Sequence, residues 1–153
     1  MKKDSPSYFD RINPQLCINA KLRRLHRLID SAYQQKINPF GLRGSMLSLM
    51  FIVGKRPGVS QKEVAYRLVL DQSTVSRDIK KLTDRGLIQR ERGTDLRQTE
   101  LSLTKAGYQL LEEVSPVWEL LHQKVEAILG QFNIQQIDAI AQTIHEHLIE
   151  IQQ

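Results

Sequence analysis

The stretch 68-LVLDQSTVSRDIKKLTDRGLI-88 decides the reading of this chain. At about 100° per residue, Val75, Ile79 and Leu82 fall on one side of a helix. Ser73, Arg77, Lys80 and Asp84 point directly away from that side, with Thr74, Ser76 and Lys81 on the flanks. Asp71 stands where an N-cap belongs, able to accept from the unpaired N–H groups of the first turn. Gly86 stands where a left-handed residue ends such a helix. A helix built this way packs by one face and offers hydroxyls and cations with the other.

Its surroundings give that helix a context. Ser60-Gln61-Lys62-Glu63 matches a capping box and opens a short helix with Val64 and Leu68 inward. After Gly86, the run 88-IQRERGTDLRQTELSLT-104 alternates across Gln89 to Arg92, turns at Gly93-Thr94-Asp95, and alternates again through Leu101 and Leu103. This predicts a β-hairpin that projects Arg90, Arg92 and Arg97. Upstream, LRGSMLSLMFIVGKRPG is apolar almost all round, as suits a helix buried between neighbours, and Gly54 to Gly58 with Pro57 ends it. Farther upstream, Ile12, Leu16, Leu22, Leu25 and Ile29 predict one long helix from about residue 12 to 35, closed by Asn38-Pro39 and carrying Lys21, Arg23, Arg24 and Arg27 on its other face. Downstream, Thr104 caps a helix that Gly107 weakens and Pro116 kinks, with an apolar stripe from Leu110 to Ile128 that stops at Gly130. A second capping box, Asn133 to Gln136, opens a last helix with Ile137, Ile140, Ile144, Leu148 and Ile151 on one side.

Three short helices followed by a two-stranded hairpin describe a winged helix-turn-helix, whose second motif helix enters a DNA major groove. The expected fold class is therefore mainly α with a small β-hairpin wing (α+β), flanked by N- and C-terminal dimerisation helices. Its segments are 1–40, an N-terminal dimerisation helix; 41–104, the DNA-binding lobe; and 105–153, the C-terminal dimerisation helices. Ser73, Thr74 and Ser76 can donate to phosphates or base edges without filling the groove, and Arg77 is long enough to fork onto a guanine. Lys80 and Lys81 supply point charges for the backbone, and the hairpin arginines suit phosphates or the adjacent minor groove. The expected DNA-facing set is Ser60, Gln61, Lys62, Gln72, Ser73, Thr74, Ser76, Arg77, Lys80, Lys81, Arg90, Arg92, Thr94 and Arg97.

Charge agrees with a polyanionic partner. Net charge is +5 over residues 1–40, +6 over 41–105 and −6 over 106–153. With 41% hydrophobic and 25% charged residues, the 153-residue chain has the composition of a globular protein, and no apolar run approaches the roughly 18 residues of a membrane span. The first residues, MKKDSPSYFD, lead into no signal-peptide core, so a cytoplasmic location is expected. One cysteine, Cys17, can form neither an internal disulfide nor a thiolate metal cluster. The terminal helices carry more apolar surface than a small lobe can cover, which points to a second copy of the chain.

The succession SQKEVAYRLVLDQSTVSRDIKKLTDRGLIQRERGTDLRQTELSLTKAGYQLL resembles the DNA-binding lobe of the MarR family of bacterial transcription regulators. That resemblance implies a homodimer on a pseudo-palindromic double-stranded DNA operator, usually a repressor, with Ser73, Thr74, Ser76 and Arg77 on the recognition helix. It also implies a pocket for a lipophilic or phenolic effector where the dimer helices meet the lobe, for which Phe40, Met46, Met50 and Trp118 are apolar candidates. The family's wing motif Asp-x-Arg is present as Asp95-Leu96-Arg97, with Leu96 where a second arginine is common. One branch senses oxidants through a cysteine early in the first helix, and Gln15-Leu16-Cys17 is similar to it. The tyrosines that serve such a thiolate are replaced by Lys21 and Ser31, leaving Tyr33 as a displaced partner.

Other chemistry finds little support. His145, Glu146, His147 and Glu150 do not converge on one helix face, and the two-histidine zinc pattern is missing, so no metal or other cofactor is expected. Gly54 to Gly58 lacks phosphate-loop spacing, and no serine or cysteine nucleophile motif is visible, so an enzyme is not expected. A protein-interaction module built on the same winged helix is the alternative from another class.

Overall fold

A computed structural model describes residues 7–92 and 99–152. Ser7 and Asp10 form a reciprocal capping box that opens a single-turn helix, α1 (Tyr8–Arg11). A 3₁₀ turn, Pro14–Leu16, follows, and α2 (Ile18–Ile37) starts only after it. The helix expected from about residue 12 is thus broken, because Pro14 has no N–H to donate and forces Asn13 into an extended conformation. A second 3₁₀ turn, Asn38–Phe40, ends at Gly41, whose φ of 70° only glycine adopts without strain. Helix α3 (Met46–Lys55) runs through Gly54, one residue beyond its expected end.

The lobe continues through β1 (Val59–Ser60), α4 (Gln61–Leu68), α5 (Gln72–Asp84), β2 (Ile88–Arg92) and β3 (Thr99–Leu103). The strands form one antiparallel sheet in the order β1-β3-β2, with Val59 opposite Leu101 and Arg90 also opposite Leu101 on the other flank. The sequence predicts only the two-stranded hairpin. A two-residue strand is too short to show alternation, yet it pins the start of α4 to the wing. Gly93, Thr94 and Asp95, expected as the hairpin turn, lie outside the described residues.

Leu42, Leu49, Met50, Val53, Val64, Val75, Ile79, Leu82, Ile88 and Leu101 are fully or almost fully buried in one core, which Val114 joins from the following helix. That helix, α6 (Lys105–Glu146), is capped by Thr104, whose hydroxyl accepts from Gly107 N–H at 3.1 Å and donates to the Gly86 carbonyl at 2.6 Å. Gly107, a weak residue for a helix, is needed here because a Cβ would collide with the Leu87 carbonyl. Only Gly130, at φ 74° and ψ 151°, leaves helical geometry inside α6, so the interruption falls where the apolar stripe was expected to stop, while Pro116 keeps helical φ and ψ. Asn133 is inside the resumed helix and donates to the Leu129 carbonyl at 2.7 Å, so the expected capping box does not form. His147 separates α6 from α7 (Leu148–Gln152).

The two ends of the chain pack α2 along α6, where the Tyr33 hydroxyl lies 3.4 Å from His122 Nδ1. Ile18, Leu22 and Leu28 of α2 and Ile128, Phe132, Ile140 and Ile144 of α6 remain exposed, as does Phe9 of α1.

Candidate nucleic-acid interface

Helix α5 buries Val75, Ile79 and Leu82 and exposes Ser73, Arg77, Lys80, Lys81 and Asp84, with Thr74 and Ser76 half-buried. Its N-terminus is a hydrogen-bonded clasp. Asp71 accepts from Thr74 N–H at 2.8 Å, from the Thr74 hydroxyl at 2.7 Å and from the Ser73 hydroxyl. Those bonds, the one from Ser73 first, hold the Asp71 carboxyl well below the usual carboxylate range, so it is ionised. An ionised carboxylate only accepts, so both hydroxyl protons point at Asp71. Ser73 Oγ therefore faces outward as an acceptor, suited to an adenine or cytosine amino group and unsuited to a phosphate. This reverses the donor role that the residue type alone suggests.

Arg77 folds toward the same end, donating from Nε to the Ser73 carbonyl at 3.3 Å and from Nη2 to Thr74 Oγ1 at 3.1 Å. The remaining N–H groups of its guanidinium stay available for a forked contact. One turn on, Lys80 pairs with Asp84 at 2.7 Å, and Lys81 lies 3.9 Å from Asp78. Both ammonium groups are exposed, so these pairs hold the lysines weakly against a phosphate.

The remaining expected residues fall into two groups. Ser60 caps α4, accepting from Glu63 N–H at 3.2 Å, while the Glu63 carboxylate turns to Arg67 at 2.8 Å and does not close the box. Gln61 Nε2 reaches the Gln72 carbonyl at 3.4 Å, which places the starts of α4 and α5 side by side, and Lys62 is exposed next to them. On the wing, Arg90 is exposed on the sheet face that carries Ile88, Leu101 and Leu103, opposite the face where Gln89 binds Glu91 and Ser102. The Arg92 backbone pairs with Thr99, and Thr94, Asp95, Leu96 and Arg97 lie outside the described residues.

Residues 40–98 match the MarR family. The chain is 34% identical over 89 residues to the HTH-type transcriptional regulator YwoH of Bacillus subtilis (strain 168), covering 58% of this chain and 65% of that one. Over residues 40–98, the winged-helix lobe, the chain is similar to MarR-family regulators. Among solved MarR-like folds, the M. tuberculosis transcriptional regulator MOSR in complex with DNA superposes with a TM-score of 0.75 at 23% identity, covering 86% of this chain and 98% of that one. The PcaV transcriptional regulator of Streptomyces coelicolor, in complex with its natural ligand, gives 0.77 at 19% identity over 88% and 96%.

A cavity of about 330 Å³ opens between α2, α3 and α6. Of the four apolar candidates for an effector pocket only Trp118 lines it; Met46 and Met50 are core residues, and Phe40 packs half-buried against them. Tyr33, Gln34, Asp30 and His26 supply a polar wall that periodicity did not single out. Trp118 stacks on His122, ring centroids 4.7 Å apart, and meets Phe51 edge-on at 5.6 Å. Burial, and then the Glu126 charge, raises the Tyr33 hydroxyl above its ordinary pKa. Cys17 is exposed at the N-cap of α2, while the Tyr33 hydroxyl is engaged with His122. Among the described residues, no group of three or more histidine, cysteine or acidic side chains is placed to hold a metal, and no helix is long and apolar enough to cross a membrane.

Two cations outside the expected set also border α5. Arg43 and Arg85 line a cleft with Thr74, Asp78 and Lys81. Neither lies on the patterned face of a helix, so only the tertiary structure reveals them.

Proposed function

We propose that the chain is a sequence-specific, double-stranded DNA-binding transcription regulator that acts as a homodimer, represses from a pseudo-palindromic operator and is released by a small lipophilic or phenolic effector. One observation carries the reading: α5 is anchored by a fully buried apolar face, and its opposite face presents an acceptor, a guanidinium and two ammonium groups in a row. Ser73, Arg77 and the neighbouring Gln72 and Ser76 would meet base edges, while Lys80, Lys81, Lys62, Arg90, Arg92 and Arg97 would meet phosphates. The DNA-bound state of a relative in this fold supports that placement.

The segments 1–40 and 105–153 would form the dimer by covering their exposed apolar faces on a second copy. A two-fold axis then sets the recognition helices about 34 to 36 Å apart, one turn of DNA. Effector control requires only that the ligand favour a dimer geometry with a different spacing. The cavity beside Trp118 lies where such a ligand could act on both halves, and a ligand-bound relative of this fold supports the reading.

Fluorescence anisotropy with a duplex from the chain's own upstream region and a scrambled control, at two salt concentrations, tests the proposal. Sequence-selective binding that weakens steeply with salt is the expected result, since each neutralised phosphate contributes a slope of about −0.9 in log K against log salt. Salt-insensitive binding, or equal binding of the two duplexes, would reject it in favour of a protein-contacting module.

A further inference from the structure

The loop at 41–45 touches three parts of the molecule that function must keep in step. From the recognition helix side, Arg85, the residue that follows α5, donates from Nη1 to the Gly41 carbonyl at 2.6 Å and from Nη2 to the Phe40 carbonyl at 3.0 Å. These carbonyls close the 3₁₀ turn that continues α2, an end that lacks internal donors and whose negative dipole favours a guanidinium. The guanidinium lies so close over Gly41 that a Cβ there would sit 3.0 Å from Nη2. Asp78, inside α5, makes the second tie by accepting from the Ser45 hydroxyl at 2.6 Å.

From the other side, Gly44 N–H donates to Gln34 Oε1 at 3.2 Å, and Gln34 and Gly44 line the same cavity as Trp118. The loop is therefore gripped by α5 on one side and by the cavity wall on the other.

We propose that Arg85 is a positioning residue for DNA recognition: with the Ser45–Asp78 bond it locks α5 to the 41–45 loop, so that the pose of the recognition helix and the shape of the Trp118 cavity form one equilibrium. Coupling of this kind is reciprocal, so DNA binding must be felt at the cavity with no effector bound. The inference rests on the DNA-binding reading above.

Trp118 is the sole tryptophan of the chain and reports on the cavity directly. A duplex selected from a random library serves as the probe, with binding read from the anisotropy of labelled duplex and the cavity read from Trp118 emission. In the wild-type protein the emission should change saturably with the midpoint of the anisotropy curve. In Arg85→Ala the affinity should fall by about tenfold, within the usual range of such couplings, and Trp118 should stay silent at DNA saturation. Arg85→Lys, which can still reach one carbonyl, should restore part of both.

A folded Arg85→Ala with wild-type affinity and an intact Trp118 response overturns the inference, as does wild-type protein that binds duplex without any change at Trp118. If Arg85→Ala fails to fold by thermal melting, Ser45→Ala, which cuts the second tie, decides by the same two readouts. No duplex bound by anisotropy removes the DNA-binding reading and this inference with it, and that failure is distinct from binding without coupling.

Discussion

The lobe from Leu42 to Leu103 and the helices at the two ends of the chain treat similar side chains in opposite ways. Val75, Ile79 and Leu82 on α5 disappear completely into the core, whereas Ile128 on α6 is 83% exposed and Phe9 on α1 is 81% exposed. Both regions read as amphipathic helices. The difference is that the lobe contains three helices and a sheet to close around its apolar faces, while each end offers one long face with half a partner. Burial is thus complete in the lobe and unfinished at the two ends, where the proposed second copy would pack.

The largest expected effect separates these regions by stability. Ile79→Ala should destabilise the fold by about 2 to 5 kcal/mol in chemical denaturation, because it empties a fully buried site. Ile128→Ala should change the stability of the isolated chain little, its side chain being mostly in water already. Similar losses at both positions would erase the contrast.

Next in size is the assembly itself. The pair Ile140→Glu and Ile144→Glu should leave the far-ultraviolet signature of the lobe intact and halve the mass in sedimentation, since charge on a buried two-fold face is unfavourable and on a solvated face is not. A mass unchanged by the pair would return those faces to solvent.

Asp71→Ala probes the reading edge. Freed hydroxyls on Ser73 and Thr74 can then donate to any phosphate, so binding to random duplex should strengthen while discrimination falls by about tenfold, the scale of one good base contact. Equal changes on selected and random duplexes would make Asp71 a cap and nothing more. The sign of the pH dependence follows from the direction of the shift. A carboxyl whose pKa is depressed on folding contributes above its unfolded value of about 3.9 and loses that contribution as the pH falls through the folded one. Discrimination should accordingly be flat across neutral pH and fail only in strong acid.

The smallest effect concerns the turn that aims α5. Val69 adopts φ 52° and ψ 44°, a left-handed conformation that a β-branched side chain disfavours, and it is exposed. Val69→Gly should raise the melting temperature, with relief of about 1 to 2 kcal/mol set against the greater freedom of glycine in the unfolded chain. A lower melting temperature would show that the strain is illusory.

The parts of this molecule that were legible in the sequence are those governed by one element's own periodicity. The inward face of α5, the Asp71 and Thr104 caps, and the pairing of Leu101 and Leu103 with the strand at Ile88 all follow from spacing. Spacing misled where a local breaker outranked it: Ile12 and Leu16 kept helical intervals across Pro14, and Asn133 to Gln136 imitated a cap although Gly130 had already restarted the helix. The polarity of Ser73 was hidden because it depends on where a neighbouring carboxylate sits, not on the residue's type. The cavity wall was hidden because Tyr33 and His122 meet only through the packing of α2 on α6.

Selection of binding sites from a random duplex library, followed by the stoichiometry of the selected complex in sedimentation, shows whether two copies of the chain read one DNA sequence together. The expected result is an inverted repeat whose half-site centres are about 10 base pairs apart, bound by two chains. Recovery of no common sequence, or of a single site bound by one chain, would contradict it.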